Sequence, residues 1–325
     1  MQLVDLKFQP GIDKQDTAYS AGDERKYVDS DFVRFHYGKP ERWGGWQNLP
    51  NPNRVMVGVV RDTHSWVSLD GTRYIALGTD RKLYIYSEGA ISDITPIRST
   101  ESLTNPFTTT SGSATITVTD AAHGASIGDF VTFDSFSTLD GLDMNQEFEI
   151  TTVPSASTYT ITHSSNATGS TSGGGGSGNA KYQITTGPAT STYGYGWGTL
   201  AWGDSTWDTS RSASSVVVAA RNWSLDNFGE DLIATVLNGG TFIWDTSGGT
   251  SARATALSNA PTASRFSLVS TDTRHLLLFG TELTIGDSTT QDDLFLRFSD
   301  REDATDYTPV STNEAGSLRI SDGSR

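Results

Sequence analysis

Apolar and polar residues alternate over short stretches of this chain, which is the pattern of strands with one buried face. Residues 71–78 (GTRYIALG) and 81–86 (RKLYIY) are two such stretches, joined by turn-forming residues. This layout predicts a β-hairpin. The sequence has no stretch of a dozen residues with clean helical spacing of apolar positions. The pattern therefore predicts an all-β chain.

The hairpin layout recurs twice later in the sequence. Residues 230–237 and 241–245 repeat it, and residues 274–279 and 293–298 repeat it with a longer turn. A shift of 158 in the numbering places Tyr74 on Leu232. Repeated antiparallel units of this size favour a β-propeller-like body, in which each blade covers the next. A generic β-sandwich meander is the alternative.

One interval has a different character from its surroundings. Lys181 is the only Lys or Arg between 103 and 184, and Ser and Thr are frequent there. Its strand-like stretches lie at 114–119, 129–133, 147–153, 158–162 and 181–184. We predict that residues 103–186 form a small inserted β-barrel or sandwich of five or six strands, removable as a unit. The other predicted parts are an N-terminal arm with the first strands (1–50) and the two body segments (51–102 and 187–325).

Composition and charge narrow the possible functions. The chain has 325 residues, no Cys and a formal net charge of -15. The absence of Cys excludes disulfides, thiolate nucleophiles and Cys-based zinc sites. Tight non-specific DNA binding needs clustered Lys and Arg, which are scattered here. No apolar run is long enough for a membrane span, and no secretory signal pattern opens the chain.

Candidate catalytic motifs are weak. Gly124-Ala-Ser126-Ile-Gly128 matches the G-x-S-x-G nucleophile motif, but a strand (129–133) follows it where that motif needs a helix. We interpret it as a turn between strands. Adjacent acidic pairs are expected by chance among 38 carboxylates. No metal-ligand spacing occurs among the histidines at 36, 64, 123, 163 and 275. We therefore expect no enzyme activity, no cofactor and no metal site.

An aromatic and glycine-rich run spans residues 193–207. Its rings include those of Tyr195, Trp197, Trp202 and Trp207. Aromatic side chains can stack on bases, but they need basic partners to bind phosphates, and only Arg211 is near. We favour a loop whose rings cover a core or a subunit contact. A glycan-binding site is the alternative.

The amino-terminal stretch carries the most specific motifs. Residues 10–13 read PGID, 27–35 read YVDSDFVRF and 38–46 read GKPERWGGW. Within them, Arg34 is placed to pair with Glu41, in a buried or interfacial ion pair. Gly44 and Gly45 permit a turn that seats the indole of Trp46.

The order of these motifs resembles the start of the tail nozzle (tail hub) proteins of short-tailed, double-stranded DNA bacteriophages. The aromatic run followed by Arg211, residues 223–233 and residues 297–309 also resemble segments of that family. The resemblance implies a virion tail protein assembled in the host bacterial cytoplasm. It also implies packing or assembly positions for nine residues: Arg34, Glu41, Gly44, Gly45, Trp46, Tyr195, Trp197, Trp202 and Trp207. It further implies a homo-oligomeric, six-fold ring that forms part of the genome-ejection channel.

The partners implied by the resemblance are the head-to-tail adaptor and the tail fibre, spike or needle proteins. Double-stranded DNA would pass through the channel without tight binding, which agrees with the acidic charge of the chain. The alternative function is a host-surface or glycan-binding tail protein. Three recognisable blade units are too few for a propeller of 4–8 blades, so we expect a chain that continues past Arg325 or a neighbour that completes the ring.

Overall fold

The computed structural model describes residues 9–15, 17–45, 56–187 and 220–320. Trp46 and the aromatic run that contains Tyr195, Trp197, Trp202 and Trp207 lie outside these described residues. The chain divides into two compact units, Met1–Pro52 and Asn53–Arg325. The larger unit contains four antiparallel sheets.

The smaller unit contains a short helix and one hairpin. The helix is α1 (Ala18–Asp23), and the hairpin strands are β1 (Val33–His36) and β2 (Lys39–Arg42). Tyr37 and Gly38, which join the two strands, have φ values of 48° and 73°. Two successive left-handed residues are the geometry of a type I′ turn, whose twist matches that of the paired strands.

Three sheets of the larger unit are four-stranded meanders. The first sheet consists of β3 (Val60–Val67), β4 (Arg73–Thr79), β5 (Leu83–Ser87) and β6 (Ala90–Asp93). The second sheet consists of β14 (Trp223–Phe228), β15 (Asp231–Val236), β16 (Thr241–Trp244) and β17 (Thr255–Ala256). The third sheet consists of β18 (Phe266–Val269), β19 (Leu276–Phe279), β20 (Phe295–Phe298) and β21 (Gly316–Arg319). All three predicted hairpins are confirmed as β4–β5, β15–β16 and β19–β20.

The three sheets pack face to face in chain order. A core that includes Ala76, Ile85, Leu232 and Trp244 lies between the first and second sheets. A second core, which includes Ile233, lies between the second and third sheets. The first strands β3, β14 and β18 are neighbours within the stack. Within the described ranges, the second sheet therefore packs on a neighbouring sheet with both faces, and the first and third sheets with one face each.

The sequence repeat aligns β4 with β15 one residue out of phase, although it aligns β5 with β16 in phase, since Ile85 and Ile243 both face the next sheet. The shift of 158 places Ala76 on Ala234, but Ala76 faces the second sheet and Ala234 faces the first. The residue that faces onward from the second sheet is Ile233. Because side chains alternate between the two faces of a strand, an error of one residue exchanges the faces.

The prediction of an all-β chain is confirmed for the described residues, in which α1 is the single α-helix. None of the helices described is long and apolar enough to cross a membrane. Stacked four-stranded sheets agree with the blade arrangement of a propeller, and a closed propeller stays a prediction.

The insert is an antiparallel sheet of seven strands with the order β7-β13-β10-β11-β12-β9-β8. These strands are β7 (Ile97–Thr104), β8 (Phe107–Thr108), β9 (Thr115–Thr119), β10 (Phe130–Asp134), β11 (Glu147–Ser155), β12 (Thr158–Thr162) and β13 (Ser177–Gln183). The sheet encloses its own apolar core, centred on aromatic residues such as Phe107, Phe133 and Tyr159.

Three details of the predicted insert are corrected by the structure. The sheet has seven strands where five or six were expected, and it does not close into a barrel because β7 and β8 are its two edges. These edges are successive segments of one bent stretch, broken at Asn105 and Pro106, so they do not pair with each other. The expected start at residue 103 falls inside β7, which pairs with β13 from Ile97 onward.

Candidate functional site

The predicted ion pair of the amino-terminal motif is present. Arg34 and Glu41 are directly opposite in the β1–β2 register, and the Arg34 Nε donates to Glu41 Oε2 at 3.1 Å. The two side chains are 58% and 49% exposed, so this is a surface pair where a buried or interfacial one was considered. Exposed pairs of this kind contribute about 0.2–1 kcal/mol.

The glycines of the same motif lie in open space. A Cβ added to Gly44 or Gly45 would meet no atom within 4 Å. Together with Asp31, Phe32 and Trp43, these glycines line a shallow groove. The structure thus provides no packing reason for glycine at these two positions.

The G-x-S-x-G motif forms the predicted turn. Gly124 and Gly128 have φ values of 57° and 88°, and β10 begins two residues after Gly128. The imidazole of His123 is buried and accepts a hydrogen bond from the Ala125 amide at Nδ1 (3.1 Å). Its Nε2 therefore carries the proton and donates to the Ser155 carbonyl at 3.2 Å. Both ring nitrogens are used by the backbone, so His123 is not placed as a general base for Ser126.

A variant pair tests this structural role. Ser126→Ala is expected to leave the free energy of unfolding within about 0.5 kcal/mol, because Ser126 is an exposed turn residue. His123→Ala is expected to lower that free energy by about 1–3 kcal/mol, since it leaves the Ala125 amide without its acceptor. Chemical denaturation measures both values. Esterase activity that disappears in Ser126→Ala would contradict the assignment.

The insert core also holds a chain of buried polar groups. The Tyr182 hydroxyl donates to Asp120 at 2.5 Å and lies 2.9 Å from the Tyr159 hydroxyl. Burial raises the pKa of Tyr159 and of Tyr182, so both phenols stay protonated. Every partner in this chain is internal, which indicates a structural network.

The acidic pairs of the sequence are engaged in local structure. Asp292 accepts from Arg319 Nε at 2.8 Å, and Asp293 pairs with Arg265 at 2.5 Å. Asp303 accepts from the Thr305 amide at 2.8 Å. Within the described ranges, no group of three or more His, Asp or Glu side chains could hold a metal ion.

Matching carboxylates join the stacked sheets. Asp62 on β3 accepts from the Leu225 amide on β14 at 3.1 Å. Asp226 on β14 accepts in the same way from the Val269 amide on β18 at 2.7 Å. Burial raises the pKa of Asp62 although its hydrogen bonds oppose this. Each carboxylate satisfies a backbone donor of the next sheet, so the contact repeats along the stack.

Tryptophan side chains pack and form hydrogen bonds between the first and second sheets. The Trp66 indole donates to the Glu230 carbonyl at 2.8 Å, and the Trp223 indole donates to the Thr79 carbonyl at 2.7 Å. The Trp223 ring lies against Gly78, where a Cβ would come within 2.7 Å of it. Trp244 is fully buried, and its ring meets the Tyr74 ring edge-on at 5.4 Å between centroids.

A cluster of charges around the buried Lys82 joins the insert to the body. Lys82 is 2% exposed and contacts Asp93 (2.9 Å) and Glu147 of β11, and its ammonium group lies 4.3 Å from the centre of the Phe130 ring. Arg253 of the second sheet's β16–β17 connection contacts Asp93 at 3.3 Å. This charge cluster therefore connects the first sheet, the second sheet and the insert.

The ends of the insert lie side by side, which makes its removal testable. The Ile184 amide donates to the Pro96 carbonyl at 3.1 Å, and Ile184 packs on the core between the first and second sheets. Replacing 97–183 by a short Gly/Ser linker should therefore leave a soluble body that unfolds cooperatively. Circular dichroism and denaturation measure this.

Deletion of 103–184 is the matched comparison. It removes β13 and leaves residues 97–102 of β7 without their partner strand, so we expect lower solubility and a broader transition than for the deletion of 97–183. An unfolded product from both deletions would show that the body needs the insert. Equal behaviour of the two products would contradict the boundary at Ile97.

An open groove crosses one end of the first and second sheets. Its volume is about 790 Å³, and Tyr74, Glu230, Asp231, Asp245 and Arg274 are among its lining residues. Coulombic repulsion from the neighbouring carboxylates adds to burial in raising the pKa of Tyr74. An aromatic ring beside several carboxylates is a composition that polar ligands such as sugars can use.

The structure also places apolar side chains on two sheet faces on which no other described sheet packs. We define the outer face of the third sheet by Phe266, Leu268, Leu277, Phe279, Leu296, Phe298 and Leu318, which share one side in the strand register. We define the outer face of the first sheet by the residues that share its other side in the register, Thr63, Ser65, Val67, Arg73, Ile75, Leu77, Tyr84 and Tyr86. One end of this face is covered, because Tyr84 is buried and its hydroxyl accepts from the Val57 amide at 3.0 Å, and the part around Val67, Ile75 and Tyr86 is open. Sequence reasoning missed both faces. The signal for the outer face of the third sheet is that apolar residues occur on both sides of β18, with Phe266 and Leu268 on one side and Val269 on the other.

Comparisons with known proteins do not identify the chain. No protein-family model matches it, and no curated protein matches it. Among solved structures, a phage phi92 endosialidase is similar over 87% of this chain and 40% of that chain, with 16% identity and a TM-score of 0.25. The chain thus corresponds to less than half the length of that protein, and so low a TM-score does not indicate a shared fold.

Proposed function

We propose that this protein is a structural component of a bacteriophage tail, a nozzle or hub subunit that surrounds the path of genome ejection and docks other tail proteins. The observation that supports this most is the stack of three sheets, whose end faces carry exposed apolar side chains with no further described sheet packed on them. Such faces are typical of surfaces that are covered in an assembly. The order of the amino-terminal motifs supplies the link to phage tails.

Immunogold electron microscopy of the virions that encode this protein tests the proposal. Antibodies against the chain should label the tail at the end of the capsid where the genome leaves. Labelling of tail fibre tips, or no labelling of intact and disrupted virions, would contradict a nozzle role.

Contact with DNA is expected to be weak. A chain of charge -15, repeated around a channel, repels the phosphates of a passing duplex unless its few basic residues line the wall. We therefore expect no measurable duplex binding at physiological salt in a filter-binding assay. Sub-micromolar affinity with a steep salt dependence would contradict this part of the proposal.

A host-surface glycan-binding protein is the second candidate, and the groove between the first and second sheets favours it. The ring of Tyr74 and the carboxylates of Asp70 and Glu230 share this groove. The carboxylates already accept bonds, Asp70 from the Thr72 amide at 2.8 Å and Glu230 from the Leu69 amide. Each retains acceptor capacity for a sugar hydroxyl.

A glycan array distinguishes the two candidates. Binding that is lost in Tyr74→Ala and retained in the control Tyr86→Ala would support the glycan-binding role. Both tyrosines are partly exposed and lie on opposite faces of the first sheet. If the array shows no binding, only the structural role is supported.

A further inference from the structure

The outer face of the third sheet is apolar in every strand. Phe266, Leu268 and Leu318 are 49%, 44% and 58% exposed, and the directly paired Phe279 and Leu296 continue the face between them. The opposite face of the same sheet, with Leu276 and Leu278, is buried against the second sheet. An apolar face of this extent is costly to leave in water.

The outer face of the first sheet is the other end of the stack. Val67 and Ile75 are 59% and 37% exposed. Ile75, Tyr86, Arg73 and Glu88 line an open groove of about 600 Å³ on this face. The face thus combines apolar side chains with a concave surface that aliphatic or aromatic side chains of a partner can enter.

The outer faces of the third and first sheets correspond to the two sides of the contact that repeats within the stack. In the stack, the onward face of each sheet packs on the backward face of the next, as the first sheet does on the second and the second on the third. The outer face of the third sheet is an onward face. The outer face of the first sheet is a backward face. Continuation of the contact therefore joins the third sheet to a first sheet.

We propose that the outer face of the third sheet of one copy packs on the outer face of the first sheet of a second copy. This contact is head-to-tail, so it uses two different surfaces and leads either to a closed ring or to an open filament. Two copies bring together six of the described sheets, which lies within the 4–8 blades that close a propeller. We therefore infer a closed pair of copies.

Solution mass is the first test. Light scattering after size exclusion should give twice the chain mass of 34.9 kDa. Leu268→Asp and, separately, Leu318→Asp should give monomers that keep the β-sheet circular dichroism of the parent. Ile127→Asp is the control, because Ile127 is 63% exposed on the insert, away from both faces. A monomeric parent protein at all concentrations would overturn the proposal, and a mass that keeps growing with concentration would overturn the closure.

Cysteine cross-linking tests the direction of the contact, and the absence of native Cys gives a clean background. Leu318→Cys and Ile75→Cys are prepared separately, one with a size tag, mixed at low concentration, concentrated and treated with a short bis-maleimide. The expected product contains one chain of each variant. Cross-linking of Leu318→Cys with itself, and none in the mixture, would overturn the head-to-tail arrangement in favour of a symmetric one.

This inference rests on the proposed structural role only for its biological use. A monomer in solution would remove the contact between copies but would leave the immunogold result unaffected. Virions without label would remove the tail assignment but would leave the cross-link unaffected. The two failures are therefore distinguishable.

Discussion

Lys82→Met is expected to lower the free energy of unfolding by about 3–5 kcal/mol, the loss typical of removing one partner from a buried ion pair. Lys82 is 2% exposed, and its ammonium group stands between Asp93 and Glu147. Without it, two carboxylates face each other, and Arg253 is the remaining cation among the described residues that contacts both. Urea denaturation of the purified variant measures the difference.

Lys181→Met is the matched control. Lys181 pairs with Asp134 at 2.5 Å, but the two side chains are 43% and 34% exposed. The same substitution should therefore cost no more than about 1 kcal/mol. Equal losses from the two variants would contradict a special role for the charge cluster.

The free energy of unfolding at acidic pH provides a second test of the role of Lys82. Burial by itself raises the pKa of Asp93, but the charges of Lys82 and Arg253 and two hydrogen bonds from Thr95 together outweigh it, so the net pKa lies below its ordinary value. A depressed pKa in the folded state gives stability that is present above the unfolded-state pKa and is lost as the pH falls. We expect the loss below about pH 4 to be smaller in Lys82→Met, because the pKa of Asp93 then rises.

The charge cluster shows what the sequence could not predict. Lys82 and Glu147 are 65 residues apart, and nothing in their local sequence separates them from charged residues on a solvated face. Residues 97–102 were missed as part of β7 for a related reason. This edge strand pairs only with β13 and carries polar residues on most positions, so it lacks the alternation that marks a strand with one buried face.

The hairpins were predictable because their signals are local. Alternating apolar residues flank turn residues in β4–β5 and β15–β16, and the paired register follows from the turn. The Arg34–Glu41 pair was predictable for the same reason, since both residues lie on one hairpin. How the sheets stack depends on which side chains face onward, and a repeat alignment one residue out of phase is enough to lose that information.

Trp244→Ala is expected to lower the free energy of unfolding by about 3–5 kcal/mol, as large-to-small changes of buried aromatic residues do. Trp244 is fully buried between the first and second sheets. Its ring contacts the rings of Tyr74 and Trp66 edge-on, and its indole donates to the Ala252 carbonyl at 3.1 Å. Removal leaves a cavity within the contact that holds the stack together. Denaturation followed by circular dichroism gives the free energy.

Two further variants calibrate this loss. Trp244→Phe keeps one aromatic ring in the core and loses the indole donor together with part of the ring volume, so we expect a loss smaller than that of Trp244→Ala. Leu69→Ala, at a side chain that is 94% exposed, should change the free energy by no more than about 0.5 kcal/mol. If Trp244→Ala were as mild as Leu69→Ala, the first and second sheets would not depend on this core for their contact. The contact proposed between the third sheet and the first sheet of a second copy would then lose its support, because it repeats the contact between the first and second sheets.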